Sequence, residues 1–244
     1  MKKEKKTWKE SGVSETVGFI LIFGIMLTGI ALVTLYGYPA LLDTQQNANV
    51  RNMERNMISL QSDVNSLTYK AVPYKETTMQ VSGGVLSVKR PDPASSFIDI
   101  SNSSGLIVSN FSPGSVHFLS ESGDIRIALE NGAVVKMQHG GSVMLSEPRW
   151  FYDEREKILV ITLIQVNSSA YLAKSGISTV QMSIEPYKIF AGNNSHDESY
   201  PIPTTINFNY TPGEFTGAWK NYMEKVENVN RTIIKAWKIN IINI

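Results

Sequence analysis

Between Thr16 and Leu42 the chain carries no charged side chain, and Val17 to Leu35 read VGFILIFGIMLTGIALVTL. Nothing else in the sequence restricts the fold as severely. At about 1.5 Å of rise per residue, some 20 such residues cross the roughly 30 Å hydrocarbon layer of a bilayer as a helix. The backbone polar groups are then satisfied within the helix and the side chains face a solvent as apolar as themselves. Tyr36 and Tyr38 fall where an interfacial aromatic belt is expected, and Pro39 sits at the edge, where a kink is tolerated. An ordinary secretory signal has a shorter apolar core, about 7–15 residues, ending in a small-residue cleavage site. This stretch is longer and no such site follows it.

Charge orients the span. Residues 1–12 hold five lysines against two glutamates, whereas the whole chain has a net charge of only +1. The positive-inside tendency therefore places the N-terminus in the cytoplasm and the rest of the chain outside the cell membrane. The near-neutral outer region lacks the basic face that would meet nucleic-acid phosphates, so no nucleic acid is expected among its partners. The absence of cysteine excludes disulfides, thiolate nucleophiles and cysteine zinc sites, and a domain of this size can bury a core without them.

Past Pro39 the periodicity changes. Val50, Met53, Met57, Leu60, Val64 and Leu67 are spaced alternately by three and four, one apolar seam along a helix whose other face is polar. The same register gives Asp43 and Gln46 before it, so the seam is shorter than the roughly three to four heptads a coiled coil needs. It suits a helix laid against its own domain; a seam for neighbouring subunits is the other reading. Unbroken from Val13 to Lys70, the helix would be about 87 Å long, half in lipid and half in water, with any break near Pro39.

After Pro73 strand signals dominate. Thr77–Val81 and Val85–Lys89 alternate around Ser82-Gly83-Gly84 and read as a hairpin. Further strands are expected at Phe97–Ile100, Leu106–Ser109, Ser115–Leu119, Ile125–Leu129, Val134–Met137, Ser142–Leu145, Ile158–Val166 and Thr179–Ile184, with turns at Asn131-Gly132 and Gly140-Gly141. Gly213–Asn228 reads as a helix with Phe215, Trp219, Tyr222, Met223 and Val226 on one side, and Thr232–Ile244 as a last strand. The expected organisation is α+β. Residues 1–12 form a basic leader, 13–42 the transmembrane helix, 43–72 an amphipathic helix and 73–244 an antiparallel β-rich extracellular domain, a sandwich or a curled sheet.

Chemistry-bearing motifs are sparse. His117, His139 and His196 are the only histidines, and none has a second ligand at metal-binding spacing. His196-Asp197-Glu198 lies in a loop composition, and the charged run from Asp153 to Lys157 reads as a solvated turn. No nucleophile elbow, phosphate loop or dinucleotide fingerprint occurs, so neither metal, cofactor nor catalytic residue is expected. Sequons are denser: Asn102, Asn110, Asn167, Asn193, Asn209 and Asn230 each begin an N-x-[ST] tripeptide in polar surroundings, as glycosylation acceptors on a surface protein would.

The segment KESGVSETVGFILIFGI, Lys9 to Ile25, resembles the N-terminus of archaeal type IV pilin-like proteins, in which a basic leader ends in a small residue before a VSPVIG-like sequence and an apolar helix. GYP from Gly37, RNMERNM from Arg51 and GGSVMLSEP from Gly140 resemble an uncharacterised family of archaeal membrane-anchored proteins, which brings no known activity. The pilin resemblance implies cleavage after Gly12 by a prepilin-type peptidase, Val13 as the new terminus, and assembly with like subunits. Glu15 would then pair with a neighbour's α-ammonium. Glu15 falls at the third mature position rather than the fifth, and it replaces the proline usual after V-S. Three functions follow as expectations: a non-enzymatic pilin-like surface protein, a monomeric anchored envelope glycoprotein that binds a surface partner or ligand, and an ectoenzyme.

Overall fold

The computed structural model describes residues 10–70, 72–102, 105–153, 158–185, 207–211, 214–227 and 234–244. The chain divides into two compact units, Met1–Ala48 and Asn49–Ile244.

The first unit is helical throughout its described residues. Helix α1 (Glu10–Leu32) passes through a π turn (Val33–Gly37) into the start of α2 (Tyr38–Lys70). The π turn is closed by the Tyr38 N–H bonding the Val33 carbonyl, and it directly precedes Pro39. Proline has no N–H for the carbonyl four residues back and its ring crowds that carbonyl, so one wide turn absorbs the misfit. The expected break near Pro39 is therefore a local widening, and the helical backbone continues. The large apolar side chains from Val17 to Leu42 are 45–71% exposed. The Thr28 and Thr34 hydroxyls donate to the Gly24 and Ile30 carbonyls, each four residues back, so neither presents a free donor to its surroundings. One N-terminal helix is thus long and apolar enough to cross a membrane.

In the second unit α2 becomes the centre of the core. Val50, Met53, Met57, Leu60, Val64 and Leu67 are at most 4% exposed. They pack on Met79, Val81, Leu86 and Val88 of β1 (Tyr74–Lys89), Val116 and Phe118 of β4 (Ser115–Ser120), and Ile125, Ile127 and Leu129 of β5 (Ile125–Glu130). Val134 of β6 (Ala133–Gln138), Ile164 and Val166 of β9 (Ile158–Asn167), and Val180 and Met182 of β10 (Ala173–Ile184) complete the cluster. Six strands therefore serve one helix face. Of the two readings of the seam, the one laid against its own domain is what the fold contains.

Polar contacts at the rim set the register. Gln61 Nε2 donates to the Gly132 and Glu147 carbonyls at 2.7 and 3.0 Å. Lys136 meets Glu54 at 2.8 Å, and Lys75 meets Asp63 at 3.0 Å.

The remaining strands are β2 (Phe97–Asn102), β3 (Gly105–Phe111), β7 (Gly141–Ser146), β8 (Phe151–Asp153), β11 (Asn207–Thr211) and β12 (Ile234–Asn243), with helix α3 at Thr216–Glu227. The main sheet has nine strands in the order β7-β6-β5-β4-β1-β10-β12-β9-β8, and β11-β2-β3 form a smaller one. The arrangement is α+β and mostly antiparallel, as expected, with one exception. β12 runs parallel to β9 and fills the place between β9 and β10. β8 and β11 were not expected, being three and five residues long.

The hairpin read at Ser82-Gly83-Gly84 does not form. β1 is one continuous strand that pairs with β10 mainly through its first half and with β4 through its second. Gly83 has φ +69°, and a Cβ on Gly84 would collide with the Leu119 carbonyl and the Phe118 ring. The glycines serve an irregularity where the strand changes partner. By contrast, Asn131 and Gly132 (φ +47° and +74°) make the expected tight turn between β5 and β6. His139 and Gly140 do the same between β6 and β7, so Gly141 opens β7 instead of closing the turn.

Candidate functional site

The outer face of the sheet carries a group of four titratable side chains, Lys89, His117, Arg126 and Glu214. Alternation along β4 turns Val116 and Phe118 into the α2 core and His117 to the opposite face. There α3 lies on β5–β7, burying Phe215, Ala218, Trp219 and Tyr222 against Ala128, Ala133 and Val135. Trp150 completes an aromatic cluster, with its ring 5.5 Å from Tyr222 and 6.4 Å from Trp219. Both indole N–H groups are hydrogen-bonded. Trp219 Nε1 donates to Glu130 Oε1 at 3.1 Å, Trp150 Nε1 to the Thr162 carbonyl, and the Ala218 N–H to Ser142 Oγ.

At the start of α3, Glu214 accepts salt bridges from Lys89 and Arg126, both at 3.2 Å, while the Phe215 ring covers His117 at 5.6 Å. Burial lowers the His117 pKa to about 3, helped by the Lys89 and Arg126 charges, with Glu214 opposing. The imidazole is therefore neutral at physiological pH. Burial raises the Glu214 carboxyl, but Lys89 and Arg126 outweigh it and hold the group below the usual carboxylate range. Burial likewise raises the phenols of Tyr69 and Tyr222.

Chemically, this arrangement clamps α3. The two cations are spent on one carboxylate, the histidine lies under a phenyl ring, and the residues lining the cavity of about 230 Å³ between β1 and β10 include none of the four. Among the described residues no three His, Asp or Glu side chains cluster as a metal site would need. Lys89, His117 and Arg126 are brought to one face by the register of β1, β4 and β5, and Glu214 is delivered from the turn before α3. The alternation within Ser115–Leu119 was the one available hint, since it put His117 opposite the core.

The expected site residues lie elsewhere and are not brought together. Gly12 and Val13 are in the first turns of α1, and Glu15 is exposed on the same helix. Asn102 ends β2, Asn110 lies in β3 with φ +50°, Asn167 ends β9 and Asn209 is in β11. Asn193, His196, Asn230 and the run 154–157 lie outside the described residues.

A family model matches residues 12–233, from the start of the apolar helix almost to the last strand. The chain belongs to the DUF7289 family. It is a family of unknown function. Two uncharacterized proteins of Archaeoglobus fulgidus are similar, each 26% identical over 81 and 80 residues. The match covers 33% of this chain and 27% and 30% of those relatives, so this DUF7289 member spans under a third of their length. No solved structure matches the chain. The expected kinship with uncharacterised archaeal proteins is thus found.

Proposed function

We propose that this DUF7289 protein is a non-enzymatic, pilin-like component of the archaeal cell surface, anchored by residues 16–42 and displaying a glycosylated β domain outside. The observation that carries the reading is the double use of one helical stretch. Its first part presents uncovered apolar side chains, and its second part, the α2 seam, is the core of the β domain. Load on the domain is then borne by the same backbone that enters the lipid. The lysines at positions 2–9 would hold the uncleaved N-terminus in the cytoplasm, and a prepilin-type peptidase would remove them by cutting after Gly12. Without those charges the span could leave the bilayer for a stack of like subunits, where Glu15 would meet a neighbour's α-ammonium.

N-terminal sequencing of protein from source-cell membranes tests this. The expected terminus is Val13, and Gly12→Leu should retain the leader and abolish any filament while leaving insertion intact. A native terminus at Met1 or Lys2 in cells that possess the peptidase would overturn the pilin reading.

One observation favours the monomeric anchored glycoprotein as second reading. With the α2 seam filled by its own domain, the apolar residues left for stacking subunits are those of the span, which a bilayer alone would cover. In that case the leader stays on and crosslinking on intact cells yields no ladder.

A further inference from the structure

Resting on the reading that the β domain is outside the cell, we propose that Asn110 is an N-glycan acceptor modified before the domain closes, and that the Asn167 sequon stays bare. Asn110 is displayed by a bulge at the edge of the smaller sheet. Ile98 of β2 faces Phe111 and Ile100 faces Val108, so Ser109 and Asn110 together oppose Asp99 alone. The surplus N–H, that of Asn110, donates to Asp99 Oδ1 at 2.7 Å. Asparagine tolerates the left-handed φ of +50° that results. The side chain is exposed. A bulky polar adduct on an exposed side chain can extend into solvent.

The other two residues of that sequon are sealed. Phe111 is 4% and Ser112 3% exposed. Ser112 Oγ accepts the Asp92 N–H at 2.7 Å, and its carbonyl accepts Gln165 Nε2 at 2.8 Å. A transferase reads the hydroxyl two residues after the acceptor, and in the finished fold that hydroxyl is buried. Transfer therefore precedes the packing of the Asp92 turn and β9 over Ser112. The donor is an oligosaccharide linked to a lipid phosphate. The Asn110 Nδ2–C1 bond forms, the C1–O bond to phosphate breaks, the lipid phosphate leaves with the electron pair, and the amide proton passes to a base of the transferase.

Asn167 has the opposite geometry. Its Oδ1 accepts the Ser168 N–H at 2.9 Å, its carbonyl accepts the Ile244 N–H at 2.8 Å, and it pairs with Asn243 of β12. Its side chain is half-buried in the join that seats the last strand, so a chain modified there before closure could not seat β12, and the folded population carries Asn167 bare.

The test is glycopeptide mass spectrometry of the full chain from source-cell membranes, run beside protease shaving of intact cells. One glycan mass is expected at Asn110, absent from Asn110→Asp and Asn110→Gly (both compatible with the left-handed backbone) and retained in Asn167→Asp. Shaving that reaches the domain while Asn110 is bare, or a glycan on Asn167, overturns this inference alone; a domain protected from shaving overturns the surface reading and the inference with it. In a second arm, membranes holding transferase and donor receive the full chain either during its translation or already folded in micelles. Modification of Asn110 only during translation is expected, and equal modification of the folded chain would overturn the order of events.

Discussion

Replacing Leu60 by alanine separates a helix that is the core of its own domain from one that waits for a neighbour. Leu60 is completely buried in the middle of the α2 seam, inside a cluster to which strands from both halves of the sheet contribute. Truncation removes the transfer free energy of the lost methyl-bearing carbons and leaves a cavity that a walled site closes only in part, a cost of about 2–5 kcal/mol in such positions. The strands are fixed by ladder hydrogen bonds and the Gln61 side chain next to Leu60 ties α2 to the Gly132 and Glu147 carbonyls, so collapse is restricted and about 3–4 kcal/mol is expected. For a domain of this size that corresponds to a fall in Tm of roughly 6–16 °C. Leu27→Ala is the control, because Leu27 is 50% exposed and touches no core; its effect on unfolding should stay within about 0.5 kcal/mol. Urea unfolding of the full chain in detergent micelles, followed by tryptophan fluorescence, reads both. Trp219 is buried in the outer cluster and reports closure of the whole domain. A cost below about 1 kcal/mol for Leu60→Ala, with a native oligomer falling apart instead, would refute the assignment of the seam to the domain's own core.

The buried neutral His117 makes stability pH-dependent. Its folded pKa, about 3, lies below the unfolded value near 6.5, so the unfolded chain binds the extra proton and stability is lost as pH falls from about 6.5 toward 3. Between pH 7 and 5 the loss should be about 2 kcal/mol, above the range where Glu214 titrates, and His117→Gln should flatten it; an unchanged slope would count against the burial argument. Gly84→Ala forces a Cβ into the Leu119 carbonyl and the Phe118 ring and should cost about 3 kcal/mol or more, whereas Gly123→Ala meets nothing within 4 Å and should cost only its left-handed backbone, about 1–2 kcal/mol, both read from urea midpoints. Glu214→Gln weakens the clamp on α3, and amide exchange along Thr216–Glu227 should speed up while exchange in α2 does not, since local opening follows local contacts.

Which parts of this molecule could be read from the chain alone follows from the range of the interactions involved. The apolar span is a sum over neighbouring residues of transfer free energies, so it is present in the sequence as it stands. The same holds for the seam from Val50 to Leu67 and for most strands, because a period of 3.6 or 2 records which side of an element is dry. Periodicity says nothing about what lies on that dry side. Only the packed domain decided that six strands, and not another subunit, cover α2. Gly83-Gly84 illustrates the same limit: positive φ suits a turn and a strand irregularity equally, and the choice was made by β4 and β10 arriving on opposite sides of β1. The parallel insertion of β12 between β9 and β10, and the meeting of Lys89, His117, Arg126 and Glu214 under α3, likewise depend on contacts between distant segments. Loop closure sets the cost of such contacts and register sets their identity, and neither leaves a local mark in the order of the residues.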